Sequence, residues 1–270
     1  MIEALQTIDA KPKLIASGAP DENENLRHFS ALLATPPLHD AADTAGTDAA
    51  FWLYSSGSTG RPKNIIHAHA NLYWTNALNA VPVLGLCADD IIFSAAKLFF
   101  AYGLGNALTF PLSVGATVIL MAERATPQSV TQRVVQHRPT VFFGIPTLYV
   151  AWFASAVLPS RRDVAIRLCI SAGEPLSRST GERWQQHFGC AILDGLGSTE
   201  LLHIYVSNRT DATRYGTSGT VVPGYEVALR DEDDRLVAVD ETAELYVRGP
   251  SAALKIGTTL LGTRDNNDDG

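Results

Sequence analysis

The sequence is poor in cysteine and in charge. Its 270 residues include three cysteines, Cys87, Cys169 and Cys190. They are widely spaced and odd in number, so they form neither a disulfide framework nor a metal-binding pattern, and we expect a reducing, cytoplasmic environment. Charged residues make up 18% of the chain, and 21 basic residues against 28 acidic ones give a net charge of −7. This balance argues against a nucleic-acid partner, because such binding needs a basic surface.

The sequence also lacks signals for export and membrane insertion. Met1, Ile2 and Glu3 do not begin a signal peptide, since an acid comes early and no apolar core follows. Residues 98–122 carry no charge and are long enough to cross a bilayer. However, Pro111 and three glycines interrupt them, which predicts a short helix, a turn and a buried strand. We therefore expect no membrane span.

Apolar residues, at 46%, suffice for a substantial core, and their pattern divides the chain into four parts. Residues 1–48 form an N-terminal segment and connector. In residues 49–204, short apolar runs alternate with helical patterns, which predicts an α/β core with a parallel sheet. Residues 205–254 read as a β-rich subdomain, and residues 255–270 as a disordered acidic tail. The buried strands are predicted at residues 51–54, 91–93, 117–121, 141–143 and 168–170, and helices near Thr126, Pro146 and Trp184.

A Ser/Gly-rich decapeptide, YSSGSTGRPK at residues 54–63, follows the first predicted strand. Its glycines free the backbone to wrap an anion, its hydroxyls add hydrogen-bond donors, and Lys63 adds a mobile positive charge. This combination of glycines, hydroxyl donors and a positive charge favours a polyphosphate ligand. A flexible Ser/Gly linker is the alternative, whereas the spacing of a Walker A loop is absent.

The decapeptide resembles the phosphate-binding signature of the adenylate-forming superfamily, which contains acyl-CoA synthetases, peptide-synthetase adenylation domains and luciferases. Further segments follow in the family's order: SAGEPL at 171–176, GSTE at 197–200, and GTSG at 216–219 with VPGYE at 222–226. The resemblance implies part of the family's large domain. That domain is α/β, with a mixed or parallel sheet, flanking helices and a small antiparallel β-barrel portion. FWLY at 51–54, KLFFAYGLG at 97–105 and LHI at 202–204 are similar to the benzoate–CoA ligase branch.

The resemblance implies an acid–thiol ligase that uses ATP, Mg²⁺ and coenzyme A on a small aromatic acid such as benzoate. The carboxylate is adenylated first and then transferred to the CoA thiol. Thr199, Glu200 and Lys63 are the implied catalytic residues, with Glu200 as the Mg²⁺ ligand. The implied nucleotide-binding residues are Ser55, Ser56, Gly57, Ser58, Thr59, Gly60, Lys63, Gly173, Glu174, Pro175, Asp194, Gly195 and Thr199. The implied acid-binding residues are Phe100, Ala101, Tyr102, Gly197, His203 and Ile204.

Simpler interpretations of these residues remain open. The Phe99–Phe100 pair is equally typical of ordinary core, His203 of a satisfied structural histidine, and Glu200 of a solvated loop acid. His67 and His69 are too few to predict a metal site.

Two departures from the family pattern bear on activity. Asn64 stands where the family usually has glycine, and residues 255–270 match none of the family's later motifs, so no ribose-binding role is assigned to Asp265. We expect an incomplete, weakly active or inactive ligase fragment that self-associates through exposed sheet edges. The alternatives are a non-catalytic ATP- or acyl-binding remnant and a ligase for hydroxybenzoate or a fatty acid.

Overall fold

The computed structural model describes residues 14–17, 26–56 and 62–257. The chain divides into two units, Met1–Ala45 with Thr259–Gly270, and Gly46–Thr258. In the first unit, β1 (Leu14–Ala16) pairs in parallel with β2 (Leu26–His28), and α1 (Phe29–Leu33) follows. The larger unit contains the segments that the sequence analysis singled out, apart from those outside the described residues.

A seven-stranded mixed sheet forms the centre of the larger unit, in the order β11-β10-β9-β8-β7-β5-β6. Its first five strands along the chain pair in parallel, and β10 and β11 add antiparallel pairs. Every residue of β7 and β8 is buried, as expected for parallel strands covered on both faces. The predicted α/β class is confirmed. The strands are β5 (Ile91–Ser94), β6 (Thr117–Ile119), β7 (Val141–Gly144), β8 (Leu168–Ser171), β9 (Ile192–Gly197), β10 (Ile204–Ser207) and β11 (Thr220–Val221).

Helices cover both faces of this sheet, and successive β7 side chains point to different cores. Phe142 joins an aromatic cluster with Trp152 and Trp184, whereas Phe143 packs in the opposite cluster with Phe110. The helices are α2 (His69–Thr75), α3 (Ala101–Leu104), α4 (Phe110–Val114), α5 (Pro127–His137), α6 (Pro146–Phe153) and α7 (Arg178–Phe188). Two π-helical segments, Asn76–Ala80 and Gly105–Thr109, and a 3₁₀ turn, Arg161–Asp163, complete the set.

The start of α5 follows directly from its sequence. Thr126 Oγ1 accepts a hydrogen bond from the Ser129 amide, and Ser129 Oγ accepts one from the Thr126 amide. This reciprocal capping box, with Pro127 in the first turn, confirms the predicted helix start.

The prediction for the uncharged stretch at 98–122, a short helix, a turn and a buried strand, is confirmed only in part, because the chain is helical throughout 101–114 despite Gly105 and Pro111, and β6 is only partly buried. The stretch contains α3, the π-helical segment, α4 and β6, and Gly115 ends α4 in the left-handed conformation at φ 75°. Across the described residues, no helix is both long and apolar enough to span a membrane.

A smaller antiparallel sheet, in the order β14-β4-β3, contains the strands on either side of the Ser/Gly-rich decapeptide's central residues. It consists of β3 (Ala49–Ser56), β4 (Pro62–Ala68) and β14 (Lys255–Gly257). The expectation of a buried strand at 51–54 is wrong in part. Leu53 is buried, but Trp52 and Tyr54 are exposed because alternate side chains of a strand leave opposite faces.

The predicted boundary at residue 254 does not coincide with a structural one. Residues 255–257 form β14 and pair with β4, and the rest of the expected tail lies outside the described residues. A separate two-stranded antiparallel sheet, β12 (Glu226–Arg230) with β13 (Glu244–Arg248), falls in the predicted β-rich segment. The predicted strand at 117–121 ends earlier, at Ile119.

Candidate functional site

A cavity of about 780 Å³ lies at the carboxyl ends of the parallel strands. Its lining comes from the segments that follow β5, β7, β8 and β9, including Ala95, Ile145, Ala172 and Ser198. Open α/β sheets bind ligands at this edge, because the loops after several parallel strands converge there. The cavity is therefore the candidate functional site.

The residues predicted to surround an aromatic acid meet in this cavity. Its lining includes Phe100, Ala101, Tyr102, Gly197, His203 and Ile204. Phe99 is 70% exposed and Phe100 56% exposed, so the alternative that this pair is ordinary core is wrong. Tyr102 donates its hydroxyl hydrogen bond to the Gly144 carbonyl at 3.2 Å. Two segments about 100 positions apart in sequence thus form one largely apolar wall.

His203 is a buried, neutral member of this wall. Its Nε2 lies 3.0 Å from Asn106 Oδ1, and its ring packs 4.5 Å from the ring of Phe110. Burial lowers the pKa of His203 to about 3, so the imidazole carries no charge at neutral pH. A Cβ at Gly105 would lie 2.5 Å from His203 Cδ2, which explains the glycine there. His203 therefore has a structural partner and also borders the cavity.

Lys97 is a cavity residue whose role the sequence reasoning missed. Its Nζ donates to the carbonyl oxygens of Met121, Ala122 and Glu123 at 2.6, 3.0 and 2.5 Å. These bonds fix the segment after β5 against the segment after β6, just before the Phe100 wall. The sequence offered one signal for this role: Lys97 is a single charged residue directly before the uncharged residues 98–122.

The residues predicted at the phosphates are only partly described. Ser55 and Lys63 stand opposite each other in the β3–β4 register, and Ser56 ends β3. Gly57, Ser58, Thr59 and Gly60 lie outside the described residues. Asn64 lies within β4, paired with Tyr54 and Gly257, and is not among the residues with positive φ. Its position therefore does not demand the conformational freedom of glycine.

The other predicted nucleotide-binding residues divide between the cavity and the sheet behind it. Gly173 lines the cavity at φ 90°, and Glu174 and Pro175 are exposed beside it. Asp194 and Gly195 are buried in β9 and do not contribute to the described lining. Burial raises the pKa of Asp194 to about 6, despite a hydrogen bond from the Leu176 amide at 3.4 Å.

A Cβ at Gly195 would lie 2.8 Å from Ile204 Cγ2, so this glycine permits the close approach of β10. The structure thus gives Gly195 a packing role between strands. Any contact with a nucleotide stays a prediction for both Asp194 and Gly195.

Thr199 and Glu200 lie on the tight loop between β9 and β10. Thr199 lines the cavity, and Glu200 follows it, half-buried. The Leu202 amide donates to the Thr199 carbonyl at 3.1 Å, with Leu202 in the left-handed region at φ 67°. This unusual conformation for leucine indicates a loop that its surroundings hold in place.

The described residues contain no group of three or more His, Cys, Asp and Glu suited to a metal ion. Glu200 by itself fits Mg²⁺ bound largely through water and substrate phosphates, the usual arrangement for this ion. His67 is buried and hydrogen-bonded to the Thr199 carbonyl, whereas His69 is exposed. The structure therefore gives no support to a His67–His69 metal site.

Known proteins resemble the chain in both sequence and fold. The benzoate–CoA ligase of Thauera aromatica is 50% identical over 243 residues, 89% of this chain and 45% of the relative. The 4-hydroxybenzoate–CoA/benzoate–CoA ligase of Rhodopseudomonas palustris is 46% identical, over 86% of this chain and 44% of the relative. A crystal structure of a benzoate CoA ligase from Burkholderia xenovorans LB400 superimposes with a TM-score of 0.86 at 55% identity, covering 94% of this chain and 50% of that one.

The chain thus spans about half the length of the relatives it matches. A family model described as AMP-binding enzyme matches residues 2–255, nearly the whole sequence. Together with the identity to the two curated ligases, this match shows that the chain belongs to the AMP-binding, adenylate-forming enzyme family.

Proposed function

We propose that the chain carries the acid- and ATP-binding core of an ATP-dependent aryl-acid–CoA ligase, with benzoate or a small substituted benzoate as the acid. The observation that carries the proposal is the cavity. It places an apolar wall containing Phe100, Ala101 and His203 next to Thr199, on the loop that also carries Glu200. The names of the two curated relatives support an aromatic acid.

The wall favours an aryl ring for physical reasons. Flat aromatic side chains such as Phe100 and Tyr102 match the faces of a planar ring, and the small side chain of Ala101 leaves room for it. His203 is neutral and adds no charge to this wall, whereas the cationic side chains of Lys97 and Arg124 border the cavity elsewhere. The wall itself therefore suits an uncharged aryl ring.

In the first step, a carboxylate oxygen attacks the α-phosphorus of ATP. A new P–O bond forms, and pyrophosphate leaves with the electrons of the broken P–O bond. In the second step, the CoA thiolate attacks the acyl carbon and AMP leaves. Because the first step brings two anions together, the protein must supply positive charge and oriented donors.

We assign these tasks to the residues that the sequence predicts for them. Lys63 and the hydroxyls of Ser56, Ser58 and Thr59 hold the β- and γ-phosphates, and Thr199 donates to the α-phosphate. Glu200 would hold Mg²⁺, which would supply further positive charge for this step. Gly173, which lines the cavity at φ 90°, borders the adenine.

Benzoate-driven exchange of pyrophosphate into ATP tests the proposal. We expect exchange with benzoate, run in parallel with hydroxybenzoate and a fatty acid, and we expect Ala101→Phe to abolish it by filling the ring pocket. Leu108→Phe is the matched control, because Leu108 is 41% exposed on the following π-helical segment. A preference for the fatty acid, or an unaffected Ala101→Phe variant, would overturn the aromatic assignment.

A second candidate is binding without adenylation. The same cavity could hold both ligands without the chemical step, and the same preparation tests this. Equilibrium binding of ATP and benzoate without pyrophosphate exchange would support this candidate. Exchange above background would exclude it.

We also propose a cytoplasmic location and self-association through strand β3. The described cysteines, Cys87, Cys169 and Cys190, are free thiols, which suits a reducing compartment. Strand β3 lies at one end of its sheet and exposes Trp52 and Tyr54, which suits pairing with a second copy.

A further inference from the structure

Three side-chain hydrogen bonds of His67 and Asn71 link β4 and α2 to each other, to Ala252 and to the loop that carries Thr199 and Glu200. Asn71 Nδ2 lies 2.9 Å from His67 Nδ1 and 3.1 Å from the carbonyl oxygen of Ala252. His67 Nε2 lies 2.9 Å from the carbonyl oxygen of Thr199. His67 is fully buried and Asn71 is 3% exposed.

The partners in this network determine where each proton lies. The Ala252 and Thr199 carbonyls can only accept, so Asn71 directs its NH₂ group toward Ala252 and also donates to His67 Nδ1. His67 Nδ1 must then be the unprotonated nitrogen, and Nε2 carries the proton that it donates to Thr199. Burial lowers the pKa of His67, in agreement with a neutral ring.

Glu200 and Leu201, which follow Thr199, accept hydrogen bonds from residues near the end of the described chain. The Ala253 amide donates to the Glu200 carbonyl at 2.8 Å, and Ser251 Oγ donates to the Leu201 carbonyl at 2.7 Å. Tyr225 in turn hydrogen-bonds Ser251 at 2.6 Å. Three consecutive carbonyls of the loop thus accept hydrogen bonds from outside it, and the bond from His67 comes from the strand that follows the phosphate loop.

We propose that His67 is a positioning residue, whose single neutral tautomer, fixed by Asn71, holds Thr199 and Glu200 in register with the phosphate-binding hairpin β3–β4. The effect of His67 on ATP binding rests on the proposed function. The hydrogen bonds of His67 and Asn71 do not depend on it. His67 itself touches neither the ATP nor the acid in this proposal. It acts through the Thr199 carbonyl.

Three variants test the structural part by amide hydrogen exchange. His67→Leu removes the donor, whereas His67→Gln keeps one donor and one acceptor at similar reach. His69→Leu is the matched control, because it changes an exposed histidine two residues away. We expect the Leu202 and Ala253 amides to exchange about tenfold faster in His67→Leu, the effect of losing one buried hydrogen bond, and at the wild-type rate in the other two.

Nitrogen NMR of the wild-type histidines provides a measurement that needs no variant. We expect His67 to be protonated at Nε2 and bare at Nδ1. Protonation at Nδ1 would overturn the proposal even if His67→Leu failed to fold. Unchanged exchange in His67→Leu, or equal acceleration in His69→Leu, would overturn it as well.

Equilibrium binding separates positioning from general destabilisation. We expect His67→Leu to weaken ATP·Mg²⁺ binding about tenfold, with recovery in His67→Gln and no change in benzoate affinity. Equal losses for both ligands would contradict a positioning role. A wild-type chain that binds no ATP would contradict the proposed function instead, and the exchange and NMR data would still decide the role of His67.

Discussion

At the scale of single residues, burial determines the charge state of the polar groups on and behind the cavity wall. His203 borders the cavity with its pKa lowered to about 3 by burial, and Asp194 lies behind it with its pKa raised to about 6. Both shifts favour the neutral form, because a charge loses its hydration on burial. His203 is therefore neutral at pH 7, whereas Asp194, which lies outside the described lining, is protonated only below about pH 6.

The raised pKa of Asp194 predicts a pH-dependent stability. A carboxyl whose folded pKa exceeds its unfolded value of about 4 stabilises the fold fully at low pH and loses that contribution as the pH rises through about 6. Asp194→Asn removes this dependence. We expect the variant to gain about 2 kcal/mol relative to the wild type between pH 4 and pH 7, measured by urea unfolding. Parallel pH curves for the two proteins would contradict this.

At the residue scale, the sequence predicted the residues that line the cavity. It did not predict Lys97 and His67, whose hydrogen bonds fix the neighbouring segments. Phe100, Ala101 and His203 stand within recognisable motifs, and the structure brings them together. Lys97 and His67 act on backbone carbonyls 24 and 132 positions away, respectively. A carbonyl acceptor is the same for every residue type, so such bonds leave no pattern in the sequence.

At the scale of elements, an ion pair with a buried acid and a half-exposed arginine connects the amino ends of three parallel strands. Asp90 precedes β5 and accepts hydrogen bonds from Thr140, which precedes β7, at 2.7 Å and from Arg167, which precedes β8, at 2.6 Å. Burial alone would raise the pKa of Asp90, but these bonds outweigh it and hold the pKa at about 2. Asp90 therefore stabilises the fold above about pH 4, and the contribution is lost as the pH falls through about 2.

Removing the guanidinium of Arg167 measures how much its pair with Asp90 stabilises the fold. We expect Arg167→Ala to lower the free energy of unfolding by about 2 kcal/mol at pH 7, because it leaves the carboxylate of a 3% exposed aspartate short of a partner. The figure is below that for a fully buried pair, since Arg167 is 42% exposed.

Arg133→Ala is the matched control for this experiment. It breaks a pair with Glu123 at the same close range but with a 42% exposed acid, and should cost less than about 1 kcal/mol. Equal losses in the two variants, or a difference that persists at pH 2, would contradict the assignment. Urea unfolding at both pH values measures it.

Strands and helices with a clear local pattern were predictable, and those defined by distant pairing were not. The capping box at Thr126 and the buried runs of β7 and β8 carry their own signals. Strand β14 has three residues without a strong β pattern, and it exists because Ile256 pairs with Ile65. The exposure of Trp52 was missed for the same reason, since an apolar run does not reveal which face is covered.

At the scale of the whole molecule, strand β3 is a candidate surface for self-association. It has eight residues, stands at the end of its three-stranded sheet, and exposes 40% of Trp52 and 52% of Tyr54. We expect concentration-dependent self-association, reduced by Trp52→Lys because a charge on an edge strand opposes pairing. Sedimentation velocity over a concentration series measures it.

Leu38→Lys is the control for that measurement, because Leu38 is 93% exposed but lies outside the sheet. We expect it to associate like the wild type. A wild-type chain that stays monomeric across the series, or equal effects of the two substitutions, would refute the role of β3.

The long sequence separation of the loop contacts also sets an order of events during synthesis. The β3–β4 hairpin closes locally, whereas Asn71 and its Ala252 partner are 181 positions apart. Strands β3 and β4 therefore emerge from the ribosome long before residues 251–253, which hydrogen-bond the loop that carries Glu200. Since distant contacts pay the largest closure entropy and form late, this loop should be among the last parts of the molecule to become ordered. A nascent chain released before residue 251 would carry the β3–β4 hairpin and the cavity residues Phe100 and Ala101 without the hydrogen bonds that fix the Glu200 loop.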